Sequence, residues 1–468
     1  MVCGSVVFGS VVCTCPVRAD AAPASASTSA SAAAAHEPHH HTQHTAPAAT
    51  ANSAATNSAA VSRTATTGSA ANDATNGAAS DATPTPPPAF QPFFTLYAEG
   101  WHNASGGRKN TGWWNTLADA GFTLDVEKLG GPQGMSFYAN LHWVESRPHA
   151  GAFAEHTGAA NPVSGIMSGS DHLRVFNFHL LQEFADGEFQ FKIGQLAIDD
   201  AFMLSDSSCF FLNSAFGAMP SQVSATLTCS NAAFPIYGVA APGAYFRWKP
   251  SEKFSWQTGL YYGGPGADDR DNYGWSYDRA SHSGAIVFSE ATATTEIAGH
   301  AAAFKLGVTA HSAKFPVFDG GAAKRGLFSA YMVQDIALVA GKDAAAPPAV
   351  AFFAREGYVP QSDRAVANFY ADAGFVFNGL VPTRPNDVFG AAVSHTRYGR
   401  DFRRADGSIA ASETTLEFTY AAKLLQNRGW LKDWTLIFDV QILFSPVARD
   451  GGSRRTAIVP GVRSVWSF

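Results

Sequence analysis

From about residue 90 the chain alternates between apolar and polar positions in short, turn-bounded runs. The clearest run lies near the end. Trp434, Leu436, Phe438, Val440, Ile442 and Phe444 fall on one face of an extended segment, and Thr435, Asp439 and Gln441 on the other. The last eight residues, Gly461 to Phe468, alternate in the same way and close on an aromatic. Earlier, Phe137, Ala139, Leu141 and Trp143 alternate with Ser136, Tyr138, Asn140 and His142, and Phe189, Phe191 and Ile193 with Gln190, Lys192 and Gly194. Phe254, Trp256 and Leu260 alternate with Ser255, Gln257 and Tyr261, and Phe304, Leu306, Val308 and Ala310 with Lys305, Thr309 and His311. Leu416, Phe418 and Tyr420 alternate with Glu417 and Thr419. Turn chemistry separates the runs: Ala185-Asp186-Gly187-Glu188 carries a tight-hairpin dipeptide, and Pro250-Ser251, Asn378-Gly379 and Asp406-Gly407 punctuate later ones.

A period of two predicts strands throughout, and an all-β fold. A soluble sandwich hides the apolar face of each strand in a core, whereas a transmembrane barrel turns it to lipid and its polar face to a lumen. Composition favours the barrel. Only 15% of the residues are charged, 12% are aromatic and 35 are Phe, as a lipid-facing band with aromatic girdles requires. Beyond the N-terminus no apolar run reaches the length of about 18 residues that a membrane helix needs. A spanning chain is then a closed barrel, in which every backbone group pairs between strands. Residues 90–468 accommodate roughly 14–18 strands of transmembrane length, and even numbers are the bacterial rule. The expectation is an antiparallel barrel of about 16 strands, the size class with an aqueous lumen.

Residues 1–89 read differently. An apolar stretch from Val2 to Cys15 with small residues at Ala19-Asp20-Ala21 is similar to a secretory signal peptide over 1–21, without the usual preceding basic residue. Residues 22–89 are Ala, Ser, Thr and Pro with a His cluster at 36–44. Such a composition predicts a disordered linker, because it buries too little apolar surface to offset ordering entropy. The His tract reads as solvated rather than metal-binding, since a flexible segment has no preformed geometry. Removing the signal leaves Cys209 and Cys229, an even pair that predicts one disulfide in an oxidising compartment; two buried thiols are the alternative.

Charge narrows the partners. Taking Arg18, Arg63, Asp20, Glu37, Asp73 and Asp81 from the totals of 32 basic and 38 acidic residues leaves 30 and 34, a net −4. That excludes the basic face nucleic-acid binding needs. Enzyme signals are missing as well. Gly263-Gly264-Pro265-Gly266 lacks the Lys-Ser/Thr of a phosphate loop, the barrel histidines His142, His179, His300 and His311 have no metal-ligand spacing, and Ser136, Ser205 and Ser329 have no nucleophile-elbow context. The sequence predicts no catalysis, no metal and no cofactor.

Residues 95–468 resemble the carbohydrate-selective porins of the glucose-porin (OprB) type. The resemblance is carried by Leu124-Asp125-Val126-Glu127-Lys128-Leu129 followed by Gly134-Met135-Ser136-Phe137. It continues through Lys192-Ile193-Gly194-Gln195-Leu196, Ser205-Asp206 and Phe211-Leu212-Asn213-Ser214-Ala215-Phe216-Gly217. Ala241-Pro242-Gly243 with Arg247, then Phe353, Arg355, Gly357, Gly374 and Gly379-Leu380, and finally Arg384, Asp387 and Gly390 complete it. Each motif is short; their order along the chain gives the match its specificity. The Ala/Ser/His tail and Cys209 depart from the family pattern.

The resemblance implies passive, selective diffusion of sugars across an outer membrane, with no cofactor or energy coupling. It also implies export through the periplasm, an outer-membrane lipid environment and recognition by barrel-assembly machinery through the Phe468 strand; it leaves homo-oligomer formation open. Strand parity places Gln190, Lys192, Arg247, Glu417, Asp439 and Gln441 on the lumen side, with Asp125 and Glu127 behind them. They are candidates for hydrogen bonding to sugar hydroxyls; the alternative is that they brace the barrel wall. Arg355 and Arg384 are candidate eyelet or loop arginines, and Tyr261, Tyr262 and Trp275 are stacking platforms or girdle residues. Two other readings remain at this point: a porin that is non-selective or takes small organic acids, and a soluble secreted β-structured binding protein.

Overall fold

The computed structural model describes residues 88–223, 234–279, 283–342, 346–405, 407, 410–444 and 456–468. The expected signal peptide, nearly all of the expected linker, and Cys229 lie outside the described residues. Sixteen strands follow one another. The first eight are β1 (Phe90–His102), β2 (Gly112–Asp125), β3 (Met135–Arg147), β4 (His172–Phe184), β5 (Phe189–Leu196), β6 (Ala241–Ser251), β7 (Phe254–Tyr262) and β8 (Ala285–Ile297). The second eight are β9 (His300–Phe315), β10 (Lys324–Val339), β11 (Val350–Tyr358), β12 (Ala367–Asn378), β13 (Val388–Tyr398), β14 (Ser412–Arg428), β15 (Leu431–Phe444) and β16 (Ala457–Ser467). Each pairs antiparallel with its neighbours in sequence, and β16 pairs with β1 from Thr95–Ser467 to Trp101–Gly461, closing the barrel. Among the described residues no helix is long and apolar enough to cross a membrane.

The connections differ in length at the two ends. At one end the chain reverses over short turns such as 185–188, 252–253, 298–299 and 429–430; at the other it makes segments as long as 148–171, 197–240 and 263–284. The turn at 185–188 shows why the sequence signal is local: Ala185, Asp186 and Gly187 all take positive φ, the mirror-image turn that matches strand twist. Phe90 and Phe468 both lie at the turn end.

Alternation becomes an inside and an outside. In β15, Trp434, Leu436, Phe438, Val440, Ile442 and Phe444 face out, and Thr435, Asp439, Gln441 and Leu443 face in and are buried. Leu141, Trp143, Ile193, Leu260, Leu306, Val308, Phe328 and Phe418 belong to the same exposed outer surface. So continuous an apolar surface marks a membrane-facing belt rather than a soluble exterior. At its turn-end margin Phe468 packs on Phe94, with ring centroids 5.4 Å apart, and stacks on Trp430 at 5.2 Å. These aromatics fit the interfacial girdle of an outer-membrane barrel. Leu306, 63% exposed in the middle of β9, gives a direct check of the belt. Leu306→Arg is expected to destabilise the membrane-inserted barrel by about 2–4 kcal/mol, read as a lower unfolding midpoint in lipid; an unchanged midpoint would place that face in water.

Candidate functional site

The interior is occupied by the long connections, which fold inward. Phe153, Val163, Phe202, Met203, Phe211, Leu212, Phe216 and Met219 all come from them and are fully buried. Residues 197–223 form a belt across the lumen, and the strands hold it in turn. Gln257 of β7 donates to the Ala201 carbonyl at 2.7 Å, and Glu290 of β8 accepts from the Met203 amide at 3.1 Å. Lys305 of β9 donates to the Leu204 carbonyl at 2.7 Å, and Asp335 of β10 accepts from Ser205 Oγ at 2.6 Å. Arg355 of β11 donates to the carbonyls of Met203, Ala215 and Gly217 at 2.7–3.1 Å while its fork grips Asp372 of β12. Glu417 of β14 accepts from the amides of Leu212 and Asn213, and Gln441 of β15 accepts from Asn213 Nδ2 at 2.9 Å.

The close approach of belt to wall explains two glycines. A Cβ on Gly390 would stand 2.7 Å from the rings of Phe210 and Phe211, and one on Gly357 would stand 2.5 Å from Gln222. The 148–171 segment is held similarly. Glu413 accepts from the amides of Ala160 and Asn161 at 2.8 and 2.9 Å, Gln441 donates to the Val163 carbonyl at 2.7 Å, and Arg463 donates to Ser164 Oγ at 2.8 Å.

The sequence-derived candidates separate into three groups. Glu417, Asp439, Gln441 and Arg355 face inward, but all four are buried in contact with the wall or the belt; Asp439 accepts from Thr419 Oγ1 at 2.6 Å and Gln441 Nε2 at 3.0 Å. Gln190, Lys192 and Arg247 sit on the inner faces of β5 and β6 toward the turn end and stay half-exposed. Lys192 Nζ lies 5.3 Å from the centre of the Tyr245 ring, and Gln190 donates to Glu183 at 2.9 Å. Asp125, Glu127 and Arg384 lie at the turn rim. Asp125 pairs with Lys128 at 2.9 Å, Glu127 accepts from the Gly134 amide at 2.8 Å, and Arg384 pairs with Asp387 at 2.8 Å. Of the aromatic candidates, Tyr261 is buried on the inner wall, Tyr262 donates to the Asp278 carbonyl, and Trp275 is exposed in the 263–284 segment. Cys209 is buried in the belt.

Strand parity missed the belt's own acids. Asp200 and Asp206 are exposed on a segment whose other described residues are mostly buried inside the barrel, and Asp200 accepts a hydrogen bond from Asn177 Nδ2 of β4. The only signal for them was their place in the motif-bearing stretch after Leu196, since a non-periodic segment has no parity to read. The half-exposed interior therefore presents both signs of charge beside an aromatic ring. A cavity of about 610 Å³ lies elsewhere, as a furrow on the outer surface lined mainly by Phe389, Phe418, Tyr420, Phe438, Val440, Pro460 and Val462. Its lining is apolar and faces the membrane, so it belongs to the belt surface and not to the lumen.

The 263–284 segment is fastened at the other end by Asp268. Its carboxylate accepts from the Gly169 amide at 2.7 Å and Ser168 Oγ at 2.8 Å, and pairs with Arg174 at 3.0 Å. Burial alone would push this carboxyl up, but Arg174 and His172 outweigh it and hold it below the usual carboxylate range. A depressed folded-state value stabilises the docked loop above the ordinary carboxylate pKa, and that contribution is lost as pH falls through the lower value. Pepsin is accordingly expected to cut within 263–284 near pH 2, while near pH 4 the segment resists. Equal cutting at both values would remove Asp268 as the fastener.

A closed sixteen-strand barrel with an apolar outer belt, a polar inner wall and an inward-folded segment defines a porin-type channel. Residues 115–468 match the family described as carbohydrate-selective porin, OprB family, and the chain belongs to that family; it is an outer-membrane porin. The fold is that of Pseudomonas putida OprB. Its high-pH structure aligns at TM-score 0.68 and 18% identity over 81% of this chain and 94% of that one. The low-pH structure of the same protein aligns at TM-score 0.51 and 14% identity, over 81% and 93%. No curated protein sequence matches this chain.

Proposed function

We propose that the barrel carries neutral sugars by passive diffusion, with its long connections on the external side and Phe468 at the periplasmic rim. The observation that carries this reading is the half-exposed interior set: Lys192 over Tyr245, Gln190, Arg247 and the belt acids Asp200 and Asp206. A sugar has no net charge to select, but it has hydroxyls that pair with carboxylate, amide and guanidinium groups. A passage lined by both signs of charge favours hydroxylated solutes over apolar ones, and weak contacts let them leave again.

Lys192 is the test residue. One hydrogen bond to a charged group is worth about 1.5–3 kcal/mol when fully formed. A weak, partly hydrated contact delivers roughly 1 kcal/mol, or about fivefold. Lys192→Met is expected to lower the glucose flux relative to glycine by about that factor, with the barrel intact by heat-modifiable gel mobility. An unchanged ratio would take Lys192 out of the sugar path. The Phe468 strand serves as the recognition end for barrel-assembly machinery, and deleting Phe468 is expected to reduce membrane-inserted protein without altering the conductance of the barrels that form.

A further inference from the structure

The loop end of the barrel is unevenly charged. On one side Arg147 of β3 is met by Glu145 and by Asp171, the latter at 3.0 Å. Toward β9–β13 three exposed cations lack such partners among the described residues. Lys314 of β9 and Arg325 of β10 stand directly opposite each other in the ladder, both exposed. Lys314 shares the parity of Leu306 and Val308, so the pair lies on the outer face at the upper margin of the apolar belt. Arg325 donates to the Ser312 carbonyl at 3.2 Å. Three strands further on, Arg397 of β13 lies on the same outer face, 5.4 Å over the Phe369 ring, and donates to Asn368 Oδ1 at 3.3 Å. Among the described residues none of these three cations forms an ion pair, whereas Lys324 and Arg364 between them share Asp363 at 2.7 Å. Just beneath, Val308, Phe328, Tyr358 and Val393 are exposed and apolar.

Like charges directly opposed on adjacent strands destabilise a sheet. Here they stand at the edge of a hydrocarbon-facing surface, where water screens them from one side only. A row of unpaired cations above an apolar band is the complement of a phosphate layer above acyl chains. We propose that this sector binds the phosphate of an anionic membrane lipid. Phosphate oxygens bridge Lys314 and Arg325, and the acyl chains lie against Phe328 and Tyr358. The inference is independent of what crosses the lumen, so its failure would leave the channel reading untouched.

The test titrates the detergent-solubilised full chain with fluorescent phosphatidylglycerol, with phosphatidylcholine and inorganic phosphate as the other arms. Phosphatidylglycerol is expected to bind more tightly than phosphatidylcholine. Affinity should fall about fivefold for each of Lys314→Gln and Arg325→Gln, and about twenty-five-fold for the double variant. It should also weaken between about 0.1 M and about 1 M salt. Arg325→Glu separates binding from folding: it offers Lys314 an ion pair, so heat stability holds or rises while the lipid preference is lost. Equal affinity for the two lipids, full binding by the double variant, or displacement of phosphatidylglycerol by inorganic phosphate at matching concentration would each overturn the proposal.

Discussion

Arg355→Met is expected to widen the channel without opening the barrel. The Arg355 guanidinium is fully buried, gripped by Asp372 at 2.5 Å, and donates to three carbonyls of the 197–223 belt. Removing one partner of a buried ion pair costs about 3–5 kcal/mol, because the other charge is left desolvated. The strands keep their ladders, so that cost falls on the docking of the belt. Single-channel conductance in planar bilayers should rise and disaccharides should enter liposomes faster. Arg355→Met combined with Asp372→Leu removes both charges and should recover much of the docking, with conductance returning toward that of the parent. Unchanged conductance in the single variant would mean that the belt is held by its other tethers alone.

The second large effect lies at the closing seam. No turn joins β1 to β16, so side chains and ladder bonds alone keep the two ends of the barrel together. Arg463 pairs with Glu99 at 2.7 Å across that seam, both side chains shielded from solvent, and Asn115 donates to the same carboxylate at 2.8 Å. Arg463 also reaches Ser164 of the first inserted segment. Arg463→Ala leaves Glu99 buried with only a neutral donor. The variant is expected to lose about 3–5 kcal/mol, seen as a clear drop in the temperature at which the compact band converts to the unfolded one on a gel. Glu99→Gln with Arg463→Met should lose much less, since neither charge then remains buried. An unchanged conversion temperature for Arg463→Ala would contradict a seam locked by this pair.

The wall was legible in the sequence and its contents were not. Alternation placed Leu416, Phe418, Trp434, Leu436, Phe438, Val440, Ile442 and Phe444 on one face and Glu417, Thr419, Thr435, Asp439 and Gln441 on the other, as the structure has them, because a period of two is a local property of extended chain. The Asp186-Gly187 turn was equally local. Parity says which side chains point inward, but not what fills the inside. Glu417 meets Leu212 and Asn213 across more than two hundred residues of sequence, through a segment with no strand period. The acids on that segment, Asp200 and Asp206, had no parity to read for the same reason, and Asp206 stood out only within the Ser205-Asp206 motif. At the strand ends parity loses its meaning: Asp125 is the last residue of β2 and Glu127 lies past it, and their carboxylates organise the 126–134 connection. Arg384 likewise belongs to the connection 379–387, where Asp387 holds it.

What the lumen selects is most directly measured by liposome swelling with the purified, refolded chain. Glucose, a disaccharide, gluconate and glycine would be compared at equal osmolarity. The mixed-sign interior predicts that glucose enters faster than gluconate and, allowing for size, faster than glycine, with the disaccharide slowed by the belt. Gluconate entering as fast as glucose or faster would contradict a sugar-selective lumen and point to small organic acids in the same barrel.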